Sequence, residues 1–163
     1  MKTILVVFCL LLICSSKDCT IEDGWMGLKL FQSGKDDVER LFGNPQNNGG
    51  KTTYKTKDSL IHVTYSSSPC SDLNSINGRY NVVKNSIITM TVVFTDDINI
   101  SDIKWKKSDY KRFEDTEVLQ FVYYVNEKKG IMITTIKQEG NKEKIQTIRF
   151  SPTNDMLEKY LCK

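Results

Sequence analysis

The chain has 163 residues, 39% of them hydrophobic, and its 23 Lys and Arg against 20 Asp and Glu leave a net charge of +3. So balanced a charge excludes the basic field of a nucleic-acid or acidic-polymer binder. The length is that of one ordinary domain, and the apolar fraction is enough for a core of its own.

In chain order the first feature is Lys2, then an unbroken apolar run from Ile4 to Cys14, then Ser15-Ser16. A basic start, an apolar centre and small residues at a cleavage zone read as a signal peptide over 1–16, with a single domain over 17–163. The run is shorter than the ~17–25 apolar residues that span a bilayer, and no later stretch approaches that length. An exported product, periplasmic or secreted, without a transmembrane segment in the mature chain is therefore expected. Ile13 precedes Cys14 and Asp18 precedes Cys19, so neither cysteine follows the small residue that a bacterial lipidation signal requires.

Trp25–Phe31 is apolar enough for a strand or a packed lead-in segment. A short helix is expected near 34–43. Ser33 or Gly34 caps it, Asp36 and Asp37 sit in its first turn, Gly43 offers the left-handed stop, and Pro45 prevents continuation. Val38, Leu41 and Phe42 make one stripe to bury, while Asp37 and Glu39 face water. From residue 51 onward the period becomes two. Ser59–Tyr65, Ile87–Phe94, Leu119–Val125, Ile131–Ile136 and Lys144–Phe150 alternate as strands, the last three joined by short turns into an antiparallel meander. Asn154–Leu161 reads as a short helical tail. The whole is an α+β domain: a capped helix packed on an antiparallel sheet of about five or six strands.

The chain has five cysteines, of which Cys9 and Cys14 leave with the signal peptide. Cys19, Cys70 and Cys162 allow one bridge. Cys70 lies in the long polar loop Ser66–Arg79, which needs tethering, and Cys162 would pin a tail that otherwise frays. The Cys70–Cys162 pairing is expected, with Cys19–Cys162 and Cys19–Cys70 as the competing arrangements.

The helix segment Ser33–Pro45, with Val38, Leu41 and Gly43-Asn44-Pro45, resembles a motif of the SmpA/OmlA family of outer-membrane assembly lipoproteins. In that family the helix packs on a three-stranded antiparallel sheet. Tyr65-Ser66-Ser67-Ser68-Pro69-Cys70 and Tyr123–Glu127 are similar to segments of a group of uncharacterised secreted bacterial proteins that carry the same helix. The first resemblance covers thirteen residues and implies fold alone. The second spans most of the mature chain, and neither implies a catalytic residue.

No chemical motif stands out. His62 is the single histidine; it reads as a structural strand residue, since no nucleophile elbow accompanies it and zinc chemistry of the HExxH type needs two. Asp97, Asn99 and Ser101 start a calcium-loop frame that fails at Asp102 and Ser108. Asn99-Ile100-Ser101 is a glycosylation sequon in a eukaryotic context. Lys104, Trp105, Lys106, Lys107, Tyr110, Lys111 and Arg112 interleave cations with rings and form the candidate binding surface. Asp96, Asp97, Asp102, Asp109, Glu114 and Asp115 offset much of its field, and a solvated face over buried aromatics is the plainer reading. No catalytic, metal or cofactor residue is assigned. The expected function is an exported, non-catalytic binding or assembly module for a protein or glycan partner, with no nucleic acid. The alternative is a hydrolase whose carboxylate pair sequence cannot locate.

Overall fold

The computed structural model describes residues 21–48, 51–115 and 120–163. The expected signal peptide, Cys19 and Leu119 lie outside the described residues. Among the described residues eight strands form one antiparallel sheet: β1 (Gln46–Asn48), β2 (Lys51–Lys55), β3 (Ser59–Tyr65), β4 (Ile87–Asn99), β5 (Lys111–Asp115), β6 (Phe121–Asn126), β7 (Ile131–Lys137) and β8 (Glu143–Phe150). Their order is β1-β2-β3-β4-β8-β7-β6-β5. Two four-stranded meanders, each running between sequence neighbours, thus meet along a single seam between β4 and β8. The architecture is α+β, but the expectation of five or six strands is corrected to eight. The additional strands are β1, β2 and β5, which are short, polar and at or beside the sheet edges. There, hydrogen bonding to a neighbour makes the strand and apolar alternation is not needed.

Among the described residues two α-helices accompany the sheet, α1 (Lys35–Phe42) and α2 (Asn154–Tyr160). Gly34 caps α1 and donates its N–H to Asp37 Oδ2 at 2.9 Å; at the other end Gly43, at φ 78°, donates to the Glu39 carbonyl. Thr153 caps α2 by accepting from Met156 N–H.

One face of the sheet is the core. Tyr54, Ile61, Val92, Ile148, Ile133 and Tyr124 lie in one cross-strand row and are all fully buried. Val38 of α1, with Leu28, Leu30 and Phe31 of the lead-in segment, belongs to the same core, and Met156, Leu157 and Tyr160 of α2 pack against it. Trp25 meets Phe94 edge-on, and Phe31 stacks between Tyr80 and Tyr160, with both centroid distances 5.0 Å. Leu41, expected in the buried stripe, is exposed instead. The helix has barely two turns and leans on the sheet through Val38 and Phe42, so the third stripe position overhangs the edge of the contact.

Gly130, at φ 66°, holds the turn from β6 to β7, and a Cβ there would run into the Ser151 carbonyl. The turn is therefore closed against the chain leaving β8, with Ser151 N–H donating to the Gly130 carbonyl at 2.8 Å.

Candidate functional site: the outer face of the sheet

Strand alternation that buries one face necessarily presents the other. On β6, Val122, Tyr124 and Asn126 are buried while Phe121, Tyr123 and Val125 point the opposite way and are half-buried. On β7 the same holds for Ile131, Ile133 and Thr135 against Met132, Thr134 and Ile136. Register aligns the outward residues into rows across the sheet. One row runs Leu60, Val93, Thr147, Thr134, Tyr123, Phe113, and the next runs Thr53, His62, Thr91, Arg149, Met132, Val125, Lys111. A third, partial row sets Lys144 beside Ile136, Phe121 and Asp115.

The face has two halves. Over β5, β6 and β7 it is aromatic and aliphatic: Phe113 is 51% exposed, and the rings of Phe121 and Tyr123 are neighbours with centroids 6.2 Å apart. Over β2, β3, β4 and β8 it is mainly hydroxyl-bearing, through Thr53, Thr64, Thr89, Thr91 and Thr147. None of Phe113, Phe121, Tyr123, Val125, Met132 or Ile136 belongs to the core or packs against it. His62 sits on the hydroxyl half, its Nδ1 2.9 Å from Thr53 Oγ1. That contact ties the ring to the neighbouring strand and fits the structural role expected of it.

At the β5 end the inner face carries a charged network. Arg112 donates to Glu114 and, at 3.1 Å, to Glu143 Oε1; Tyr124 OH donates to Glu143 Oε2 at 2.7 Å; Thr135 Oγ1 donates to the same oxygen at 3.1 Å; and Lys137 holds Glu114 at 2.7 Å. Two carboxylates do converge here. Burial pushes the Glu143 carboxyl up, but the hydrogen bonds from Tyr124, Arg112 and Thr135 more than offset this and hold it below its ordinary range. Lys137, then Arg112, lowers Glu114 as well. Both groups are held as anions by the donors around them, whereas a general acid needs a carboxyl poised to keep its proton.

The seven residues expected as a binding surface divide. Trp105 is half-buried, with T-shaped contacts to Tyr110 at 5.0 Å and Tyr124 at 4.9 Å, and Tyr110 is buried. The rings thus face the protein. Lys104, Lys106 and Lys107 are exposed, Lys106 pairing with Asp109 at 3.3 Å and Lys107 lying over the Tyr124 ring. Arg112 is committed to the carboxylate network, and Lys111 stands on the outer face.

Cys70 and Cys162 are at disulfide distance, with Cα atoms 5.7 Å apart. Backbone bonds bring them there: Cys70 N–H donates to the Tyr80 carbonyl and Cys162 N–H to the Arg79 carbonyl. A depression of about 530 Å³ beside them is lined by Leu73, Asn81, Leu161 and Lys163, among others. Among the described residues no group of three or more His, Cys, Asp or Glu is placed to hold a metal, and no helix is long and apolar enough to cross a membrane.

The outer face itself is the feature that a reading of motifs misses. Its signal is present in β6, where Phe121, Tyr123 and Val125 alternate with the equally apolar Val122 and Tyr124. A strand apolar on both sides either lies between two layers or offers its second side to something else. Comparison of the chain with protein-family models, with curated proteins and with solved structures yields no match.

Proposed function

We propose that this chain is an exported, non-catalytic binding or assembly module that makes contact through the outer face of its sheet. The observation that carries the reading is the exposed Phe113 with the half-buried Phe121, Tyr123, Val125, Met132 and Ile136 beside it, a group that lies apart from the core. Contiguous apolar surface of this kind marks interaction sites in soluble proteins, and aromatic residues and Met are enriched at them. The two carboxylates Glu114 and Glu143, each held as an anion by neighbouring donors, weigh in the same direction, because they clamp β5, β7 and β8 together. Export is supported by the N-terminal segment 1–16 and by the proximity of Cys70 and Cys162, a pairing that persists in oxidising compartments.

Photocrosslinking in the producing cells tests this. A crosslinking residue at Thr134, in the middle of the face, is expected to trap a discrete species, and one at Lys128, in the exposed turn after β6, is not. Phe121→Ser with Met132→Ser should abolish the Thr134 product. Equal labelling from both positions, or a product indifferent to the double substitution, refutes the reading.

A further inference from the structure

Charge on the outer face is lopsided. Lys55, Lys111, Lys144 and Arg149 point outward, against the two carboxylates of Asp115, at one end of β5, and Asp97, which shares the outward side of β4 with Asn99. Lys144 is paired with Asp97, and Lys111 lies 3.3 Å from Glu127. Arg149 and Lys55 enter no ion pair among the described residues.

Arg149 is placed unusually. It is exposed on β8, inside the sheet and not at an edge, with Thr91 and Met132 as its cross-strand neighbours. Lys111 stands three strands to one side and Lys55 three to the other, each roughly 14 Å away at ~4.8 Å per strand. An exposed cation near the centre of the face, amid hydroxyls and apolar side chains, offers hydrogen-bond donors with no carboxylate paired to them. Arg is also the cation that interfaces use, because its planar fork meets a carboxylate with two parallel bonds.

We propose that the outer face takes a protein segment carrying acidic side chains among apolar ones, with Arg149 receiving a central carboxylate. This rests on the binding-face reading above and adds the chemistry of the partner. Charge complementarity selects that occupant. Two copies of the chain stacked on this face would bring an excess of cations against the same excess, and like charges across an interface repel. The threonines beside Arg149 supply hydrogen-bonding groups that suit a polypeptide and have no use against hydrocarbon.

The test uses two synthetic amphipathic peptides with the same apolar residues, one with Glu and the other with Lys at the polar positions. Anisotropy titrations against the full mature protein should show the Glu peptide binding about tenfold or more tighter, with the advantage shrinking as salt rises from about 0.05 to 0.5 M. Arg149→Glu should reverse the preference, and Lys128→Glu, a charge change in the exposed turn, should leave it intact. Met132→Asp should weaken the Glu peptide, which the loss of a distant charge would not do.

If both peptides bind equally and Met132→Asp weakens both, the face binds without charge selection; the inference falls and the binding-face reading stands. If neither binds although Thr134 still crosslinks in cells, the inference again falls alone. If crosslinking also fails, both fall. Sedimentation showing a dimer dissolved by Met132→Asp, or binding to phosphatidylglycerol vesicles in preference to the Glu peptide, overturns the choice of occupant.

Discussion

Val38 and Leu41 lie three residues apart on one two-turn helix, yet Val38 has no exposed surface and Leu41 is 42% exposed. A longer helix would lay both on its partner. This one is short enough that the side chain sitting over the contact and the one beyond it have different energies. Val38→Ala is expected to cost about 1–3 kcal/mol, the loss of buried methyl groups plus a residual cavity. Leu41→Ala should stay within roughly 0.5 kcal/mol of the parent, as an exposed substitution does. Urea melts of the two variants check the ordering, and a larger loss at Leu41 would contradict it.

Strand β6 offers the same kind of comparison between faces. Val122→Ala removes a fully buried side chain and should destabilise by about 1–3 kcal/mol. Phe121→Ser, one residue earlier on the outer face, should cost less despite deleting a much larger group. Thermal unfolding of both variants decides it. A larger loss for Phe121→Ser would place that ring in the core and remove the candidate binding face.

The network around Glu143 makes stability depend on acid. Its folded-state carboxyl is held below the ordinary value of 4.5, so the unfolded chain takes up a proton first as pH falls. The stability it contributes is complete above about pH 4.5 and is lost as pH drops through the lower folded value. Glu143→Gln gives up a hydrogen-bonded charge, a loss of about 1–3 kcal/mol at neutral pH. Its denaturation midpoint should then fall less steeply than the parent's on acidification. Parallel acid-limb profiles in the two proteins would show that the network is not what titrates.

The bridge between Cys70 and Cys162 spans 92 residues of chain. Closing a loop of that length stabilises by ~4–5 kcal/mol in the chain-entropy account. Non-reducing peptide mapping should find these two cysteines linked in the exported protein, and reduction should lower the melting temperature by about 10–20 °C. A linked peptide containing Cys19 as the major species would contradict the pairing.

The sequence made the sheet's interior strands and α1 easy to place, because each announces itself locally. Ser59–Tyr65 alternates, and Gly34, Gly43 and Pro45 bracket eight helical residues. The edge strands were not legible, since Lys111–Asp115 is mostly charged and exposed along its length and becomes a strand only by pairing with β6. The candidate face was hidden for a related reason. Alternation says which residues share a side, but which side the lead-in segment and helices cover is decided by contacts far apart in sequence. Glu114 and Glu143 likewise converge only because β5 and β8 lie on either side of β6 and β7.

The seam between β4 and β8 carries a consequence for how the molecule is reached from the unfolded chain. Each four-stranded half is stitched from neighbouring segments, so both assemble with little loss of chain freedom. Joining them requires Met90–Val93 to find Arg149–Phe150 and the residues before them in one register, across the whole second half of the sequence. Of the strand pairings in the sheet it closes the longest stretch of chain, and pairings of that range slow folding. Until it happens, β4 and β8 each present a bare edge of unpaired amides and carbonyls, ready to accept the wrong half from another chain. The middle of the finished sheet is thus the most exposed place on the way to it, and crowding during folding would favour exchanged dimers made through this one line of hydrogen bonds.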